Sequence, residues 1–222
     1  MRITERAQRI EPFYVMEVAK AARSLGDTLS KEEHPMLYLN VGEPDFTAPP
    51  LVQAAAKAAI DAGKTQYTQA SGIIELRERI SQWYSTRFGV NVPANRIVLT
   101  AGASAALQLA CLALIETGDE ILMPDPSYPC NRQFVSAAEG TPVLIPCTAA
   151  ERYQLSSSKV EAAWKNGVTR GVLLASPSNP TGTSIHPDEM RRIHTLVSHR
   201  GGITLVDEIY LGLSFDETYG KT

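Results

Sequence analysis

Four stretches of this 222-residue chain set turn-forming and hydrogen-bonding residues directly after short apolar runs. They are Thr100-Ala101-Gly102-Ala103-Ser104, Pro124-Asp125-Pro126-Ser127-Tyr128, Ser176-Pro177-Ser178-Asn179-Pro180-Thr181-Gly182 and Asp207-Glu208-Ile209-Tyr210. In open α/β sheets, ligands sit beyond the carboxyl ends of the strands, where such loops present polar groups and helix N-termini point at the site. The first loop puts small residues between a strand and a helix start, an arrangement in which backbone N–H groups and the Ser104 hydroxyl can cradle a phosphate. A glycine needed only for a tight turn accounts for the same loop equally well. Taken singly, Asp207 reads as a helix N-cap, Asn179 as a turn residue before proline and Tyr210 as a first-turn aromatic. Their joint occurrence is what points to a site.

Other nucleotide and metal patterns fail on spacing. Gly63-Lys64-Thr65 and Gly220-Lys221-Thr222 copy the tail of a P-loop, but the required earlier glycine is Ala58 in one case and Phe215 in the other. No G-x-G-x-x-G fingerprint is present, which counts against a nicotinamide enzyme. His34, His186, His194 and His199 make no metal pattern, and His194 and His199 are five apart, which turns them away from each other on a helix.

Positioning those loops requires an alternation of strands and helices. Ile97–Thr100, Ile121–Pro124, Val143–Pro146, Val172–Ser176 and Ile203–Asp207 are short, apolar and rich in Val, Ile and Leu, as buried strands are. Between them, Ala103–Glu116 predicts a helix stopped at Gly118, Ser158 and Glu161 have capping-box spacing, and Pro187-Asp188-Glu189 opens a helix that ends at Gly201-Gly202. The order predicts an α/β fold, a mostly parallel sheet with helices on its faces. Before it lie an amphipathic stretch over Val15–Arg23 and a strand-like run, Met36–Val41, ending in the turn Gly42-Glu43-Pro44-Asp45. Helices follow over Leu51–Ala62 and Ile73–Phe88.

At 44% hydrophobic and 20% charged the chain can bury a sizeable core. A net charge of −3 supplies no field for a phosphate backbone, so nucleic acid is not an expected partner. Cys111, Cys130 and Cys147 are odd in number and widely spaced, giving neither a disulfide framework nor a zinc site and fitting a reducing cytoplasm. Charges at Arg2, Glu5, Arg6, Arg9 and Glu11 break any apolar run near the N-terminus, so no membrane segment is expected there.

Ser178-Asn179-Pro180-Thr181-Gly182 after an apolar strand is the most specific pattern, and it resembles the S-N-P-T-G motif of the pyridoxal-phosphate-dependent class I/II aminotransferases of fold-type I. The resemblance extends in order through Gly42-Glu43-Pro44-Asp45-Phe46, Tyr67 with Gly72, Gly102–Ser104, Asp125–Tyr128, Asn179–Gly182, and Asp207 with Tyr210. It implies a fold-type I large domain over 49–222, preceded by an arm and small-domain segment over 1–48.

Roles follow from the resemblance position by position. Asp207 would accept the pyridinium N–H of pyridoxal 5'-phosphate and keep the ring protonated, while Asn179 and Tyr210 would bond its phenolic oxygen. Tyr128 would stack on the ring, with Asp125-Pro126 and Asn179-Pro180 as candidate cis peptides. Gly102, Ala103 and Ser104 would hold the phosphate. Tyr67 would reach the phosphate bound in a partner subunit, which implies a homodimer. Gly42, with Asn179, would lie near the substrate carboxylate, where only a bare backbone fits. Asn131 occupies a position from which it could orient Asp207, an ordinary surface asparagine being the plainer account.

The resemblance also implies parts expected after Thr222: the Schiff-base lysine, an arginine for the substrate carboxylate, the closing small domain, and two strands between Ile97–Thr100 and Ile203–Asp207. Lys221 fits no part of the lysine motif and reads as a solvated loop charge. Catalysis is therefore not expected of these residues alone, nor is a stable isolated fold, since unpaired strand edges would be left. The activity implied is amino-group transfer between an amino acid and a 2-oxo acid. A C–S lyase, a cyclopropane-carboxylate (ACC) synthase-like enzyme or a non-catalytic cofactor-binding subunit would use the same motifs.

Overall fold

Short runs of Val, Ile and Leu suit strands covered on both faces, and four of the five such runs form strands in the computed structural model, which describes residues 2–29 and 35–213, the two central strands buried and the two outer ones half-buried. They are β1 (Glu120–Asp125), β2 (Thr141–Pro146), β3 (Thr169–Ala175) and β4 (Ile203–Asp207). The sheet order is β2-β1-β3-β4, and every ladder is parallel. Parallel neighbours need crossovers, and helices supply them: α6 (Pro129–Ala137) between β1 and β2, α7 (Ser157–Ala163) between β2 and β3, and α8 (Pro187–His199) between β3 and β4. α5 (Ala103–Leu114) precedes β1.

Alternation along the strands splits the core into two layers. Leu122, Val172 and Leu174 face α7 and α8, where they meet Val160, Ile193 and Val197. Ile121, Met123 and Leu173 face the other way, toward Cys111 of α5 and Val135 of α6. Ile121, Leu122, Met123, Val172 and Leu174 are all 0% exposed. Each such side chain contributes roughly 1.5–3 kcal/mol by leaving water. The fold is thus the α/β arrangement expected, with helices on both faces of a wholly parallel sheet.

Gly171 is required by close approach. A Cβ there would collide with the Ile203 carbonyl oxygen across the β3–β4 ladder. Without it β4 would be pushed away from β3.

Several expectations fail, each for a local reason. Ile97–Thr100 forms no strand, because no described strand lies beside it to complete a ladder. Met36–Val41 likewise forms none. Ser158 does not open α7; Ser156 does, its hydroxyl accepting from the Lys159 N–H, so Ser158 lies inside the helix. The capping box belongs instead to Thr148 and Glu151, around the short 3-10 turn Ala149–Glu151. α6 and the short α1 (Glu5–Gln8) were not expected.

By Cα proximity the chain divides into two compact units. One comprises the described residues of Met1–Glu11, Gln82–Val92 and Leu99–Thr222, and holds the sheet. The other, Pro12–Ser81 and Pro93–Val98, holds α2 (Tyr14–Gly26), α3 (Pro50–Asp61) and the start of α4 (Ile74–Phe88). There Arg77 is buried and donates to the carbonyls of Gly72 and Ala94 at 3.1 and 3.3 Å and to Gln69 Oε1 at 2.8 Å, clamping the turn that follows Tyr67.

Candidate active site

Parallel strands all deliver their carboxyl ends to one edge of the sheet, so the loops after β1, β3 and β4 gather there with the start of α5. A cavity of about 140 Å³ lies among them. Ala103, Ser104, Tyr128, Asn179, Asp207 and Tyr210 line it. Leu107, Ala175, Pro177 and Ile209 complete the wall and were not anticipated. Helical spacing was the available signal for Leu107, one turn after Ser104, and Ile209 sits between two expected residues.

At α5 the N-cap is Gly102, with φ 84°, a left-handed conformation that disfavours any side chain. It offers no side-chain cap, and the first bond back along the chain is Ala106 N–H to the Gly102 carbonyl. The amides of Ala103 and Ser104 thus belong to the first turn, whose N–H groups have no intrahelical acceptor and whose dipole favours an anion.

Asp207 is the last residue of β4. Its Oδ1 accepts the Ile209 N–H at 3.0 Å, which fixes the carboxylate rather than capping a helix. Tyr128 lies beside it. Hydrogen bonding to the Cys130 side chain, then burial, then the neighbouring Cys130, Tyr210 and Asp207 push the Tyr128 phenol up to about 12. Burial first, and the Asp207 charge second, raise the Glu208 carboxyl above its ordinary value. Asn131, on α6, is 2% exposed and so is no surface residue; its Oδ1 has no hydrogen-bond partner among the described residues.

The Asp125-Pro126 and Asn179-Pro180 peptides are cis, as is Ser176-Pro177. Gly42 and Tyr67 belong to the other unit; Gly42 has open space at its Cβ position and Tyr67 is fully exposed. Lys221 and His34 lie outside the described residues. Among the described residues no cluster of His, Cys, Asp or Glu could hold a metal ion, and no helix is long and apolar enough to cross a membrane.

One cavity thus brings together a helix N-terminus that favours an anion, a carboxylate that can accept from a protonated nitrogen, an amide and two phenols, groups that can hold an aromatic ligand carrying a phosphate. Pyridoxal phosphate has that donor and acceptor set. The sequence profile described as "Aminotransferase class I and II" matches residues 34–221. The chain is 38% identical over 210 residues to valine–pyruvate aminotransferase of Mycobacterium tuberculosis, covering 93% of this chain and 52% of that protein. It is 35% identical over 212 residues to aspartate aminotransferase of Rhizobium meliloti, covering 95% and 51%. The structure of Thermus thermophilus aspartate aminotransferase with maleate superimposes with a TM-score of 0.90 at 27% identity, over 100% of this chain and 58% of that one. The chain belongs to the class I and II aminotransferases, a pyridoxal-phosphate-dependent family. It spans about half the length of the curated relatives it matches.

Proposed function

We propose that the protein to which these residues belong is an aminotransferase that moves an amino group between an amino acid and a 2-oxo acid with pyridoxal phosphate. The observation that carries this reading is the meeting of Asp207, Asn179, Tyr210 and Tyr128 with the α5 N-terminus at one cavity. When bound, the cofactor supplies an electron sink for the substrate carbon that loses its proton. Asp207 keeps the ring nitrogen protonated, an ion-paired hydrogen bond made by a carboxylate already held at Oδ1. Asn179 and Tyr210 donate to the phenolic oxygen, and Tyr128 covers the ring. Gly102, Ala103 and Ser104 hold the phosphate at the helix start.

In the same reading residues 1–48 form the arm and small-domain segment and 49–222 the large domain. Gly42, with open space at its Cβ position, leaves room for the substrate carboxylate. Tyr67 completes the phosphate site of a partner subunit in a cytoplasmic homodimer that serves amino-acid biosynthesis. Full exposure of Tyr67, just before a clamped turn, supports the intersubunit role.

Titrating the cofactor-free protein with pyridoxal phosphate tests the site. Losing a charge-assisted hydrogen bond worth roughly 1.5–3 kcal/mol, Asp207→Ala is expected to weaken binding by about tenfold or more. Equal affinity of wild type and Asp207→Ala would sink the assignment of Asp207.

A further inference from the structure

Gln154 enters the core from an unusual piece of backbone. Two consecutive non-glycine residues before it, Arg152 and Tyr153, hold φ at 55° and 56°, the left-handed region that side chains disfavour. The result is that the Gln154 side chain, 6% exposed, reaches the strand end behind the cavity. Its Nε2 donates to the Ala175 carbonyl at 3.2 Å and to the Thr183 carbonyl at 2.8 Å. Two of its acceptors are carbonyls, the third being Thr183 Oγ1 at 3.4 Å, so the amide orientation is fixed: only the NH2 group can face the carbonyls. Its Oε1 is left buried with no partner among the described residues.

Ala175 and Thr183 are the two ends of the segment that carries Asn179. The Thr183 carbonyl also accepts the Ser178 N–H at 2.9 Å, and the Gly182 N–H returns to the Ser178 carbonyl at 2.8 Å. One side chain therefore closes both ends of the loop, and Ala175, Pro177 and Asn179 all line the cavity. An orphaned acceptor kept in place so that both donors reach this loop is the mark of a contact retained for position.

We propose that Gln154 is a positioning residue: by tying Ala175 to Thr183 it fixes the loop that sets the Asn179 amide against the cofactor's phenolic oxygen. The proposal rests on the cofactor reading given above, and extends it to a residue that touches neither cofactor nor substrate.

The test compares Gln154→Met, which keeps length and volume and removes both donors, with Val160→Ala, a cavity in the adjoining core at a side chain that makes no hydrogen bond to the loop. Three quantities are read in the whole protein: amide exchange over residues 176–183 without cofactor, Kd for pyridoxal phosphate, and the pH midpoint of the bound cofactor's absorbance. In Gln154→Met, exchange quickens and Kd rises, each by about tenfold, and the midpoint moves, whereas Val160→Ala lowers only the melting temperature. A Gln154→Met protein with a lowered melting temperature, Kd within about twofold of wild type and an unmoved midpoint overturns the proposal. Asn179→Ala separates the two levels. If it too leaves Kd and midpoint unchanged, the reading of the cofactor site falls along with this one; if it shifts them while Gln154→Met does not, only the role of Gln154 falls.

Discussion

The Ser176 N–H donates to the Asp207 carbonyl at 3.0 Å, one step beyond the register that pairs Ala175 with Asp207. That bond ties the loop carrying Asn179 to the strand end carrying the Asp207 carboxylate. Two of the proposed cofactor contacts are therefore positioned by one ladder, and the ladder's integrity governs both.

Gly171 is where that ladder is most easily broken. A methyl there meets backbone, the Ile203 carbonyl, which has no rotamer with which to retreat. Gly171→Ala is expected to cost about 1–3 kcal/mol and to weaken pyridoxal phosphate binding as β4 is displaced. Denaturant unfolding and a cofactor titration on the same variant check it; unchanged stability would mean that β3 and β4 tolerate separation.

Tyr128 gives the site a spectroscopic handle. Its phenol is pushed up to about 12, so it stays protonated where an ordinary tyrosine ionises near 10. Because the folded value is the higher one, its contribution to stability is complete below about pH 10 and disappears as pH rises through about 12. An ultraviolet tyrosinate titration of wild type should show a late component that Tyr128→Phe removes. If the phenylalanine variant keeps that component, another tyrosine is its source.

Acid stability has its own origin in the capping box. Glu151 accepts from the Thr148 N–H and hydroxyl at 2.8 and 2.9 Å and pairs with Lys159 at 2.7 Å. The Lys159 contact first, then those to Thr148, lower its carboxyl to about 2. With the folded value depressed, its contribution is present above roughly pH 4.5 and is lost as pH falls toward about 2. Glu151→Gln should flatten the melting temperature's dependence on pH across that window. An acid limb identical to that of wild type would show that other carboxylates set it.

Much of this architecture is legible in the sequence. Val172–Ser176 announces a buried strand by composition, whereas Ile203–Asp207 forms the expected strand but is only half-buried at the edge of the described sheet, and the S-N-P-T-G run fixes which loop follows which strand. Ile97–Thr100 has the same composition and no ladder, because pairing is a property of neighbours and not of a segment. Ser158 and Glu161 have the right spacing, but Ser156 meets the free N–H, and spacing cannot say which of several serines does so. α6 was hidden by its polar residues, since Val135 is its one buried apolar residue and Phe134 packs on the core only in part. Gln154 gave no signal at all. Its role depends on two left-handed residues and on carbonyls 21 and 29 positions away.

Amino-group transfer would show itself as movement of an isotope from donor to acceptor. The whole protein would be incubated with pyridoxal phosphate, 15N-labelled amino acids and unlabelled 2-oxo acids, and the products read by mass spectrometry. Label is expected in the amino acid corresponding to the acceptor, dependent on the cofactor and lost in Asp207→Ala. Ammonia and pyruvate released from a β-substituted amino acid, with no label passed to any 2-oxo acid, would contradict amino-group transfer.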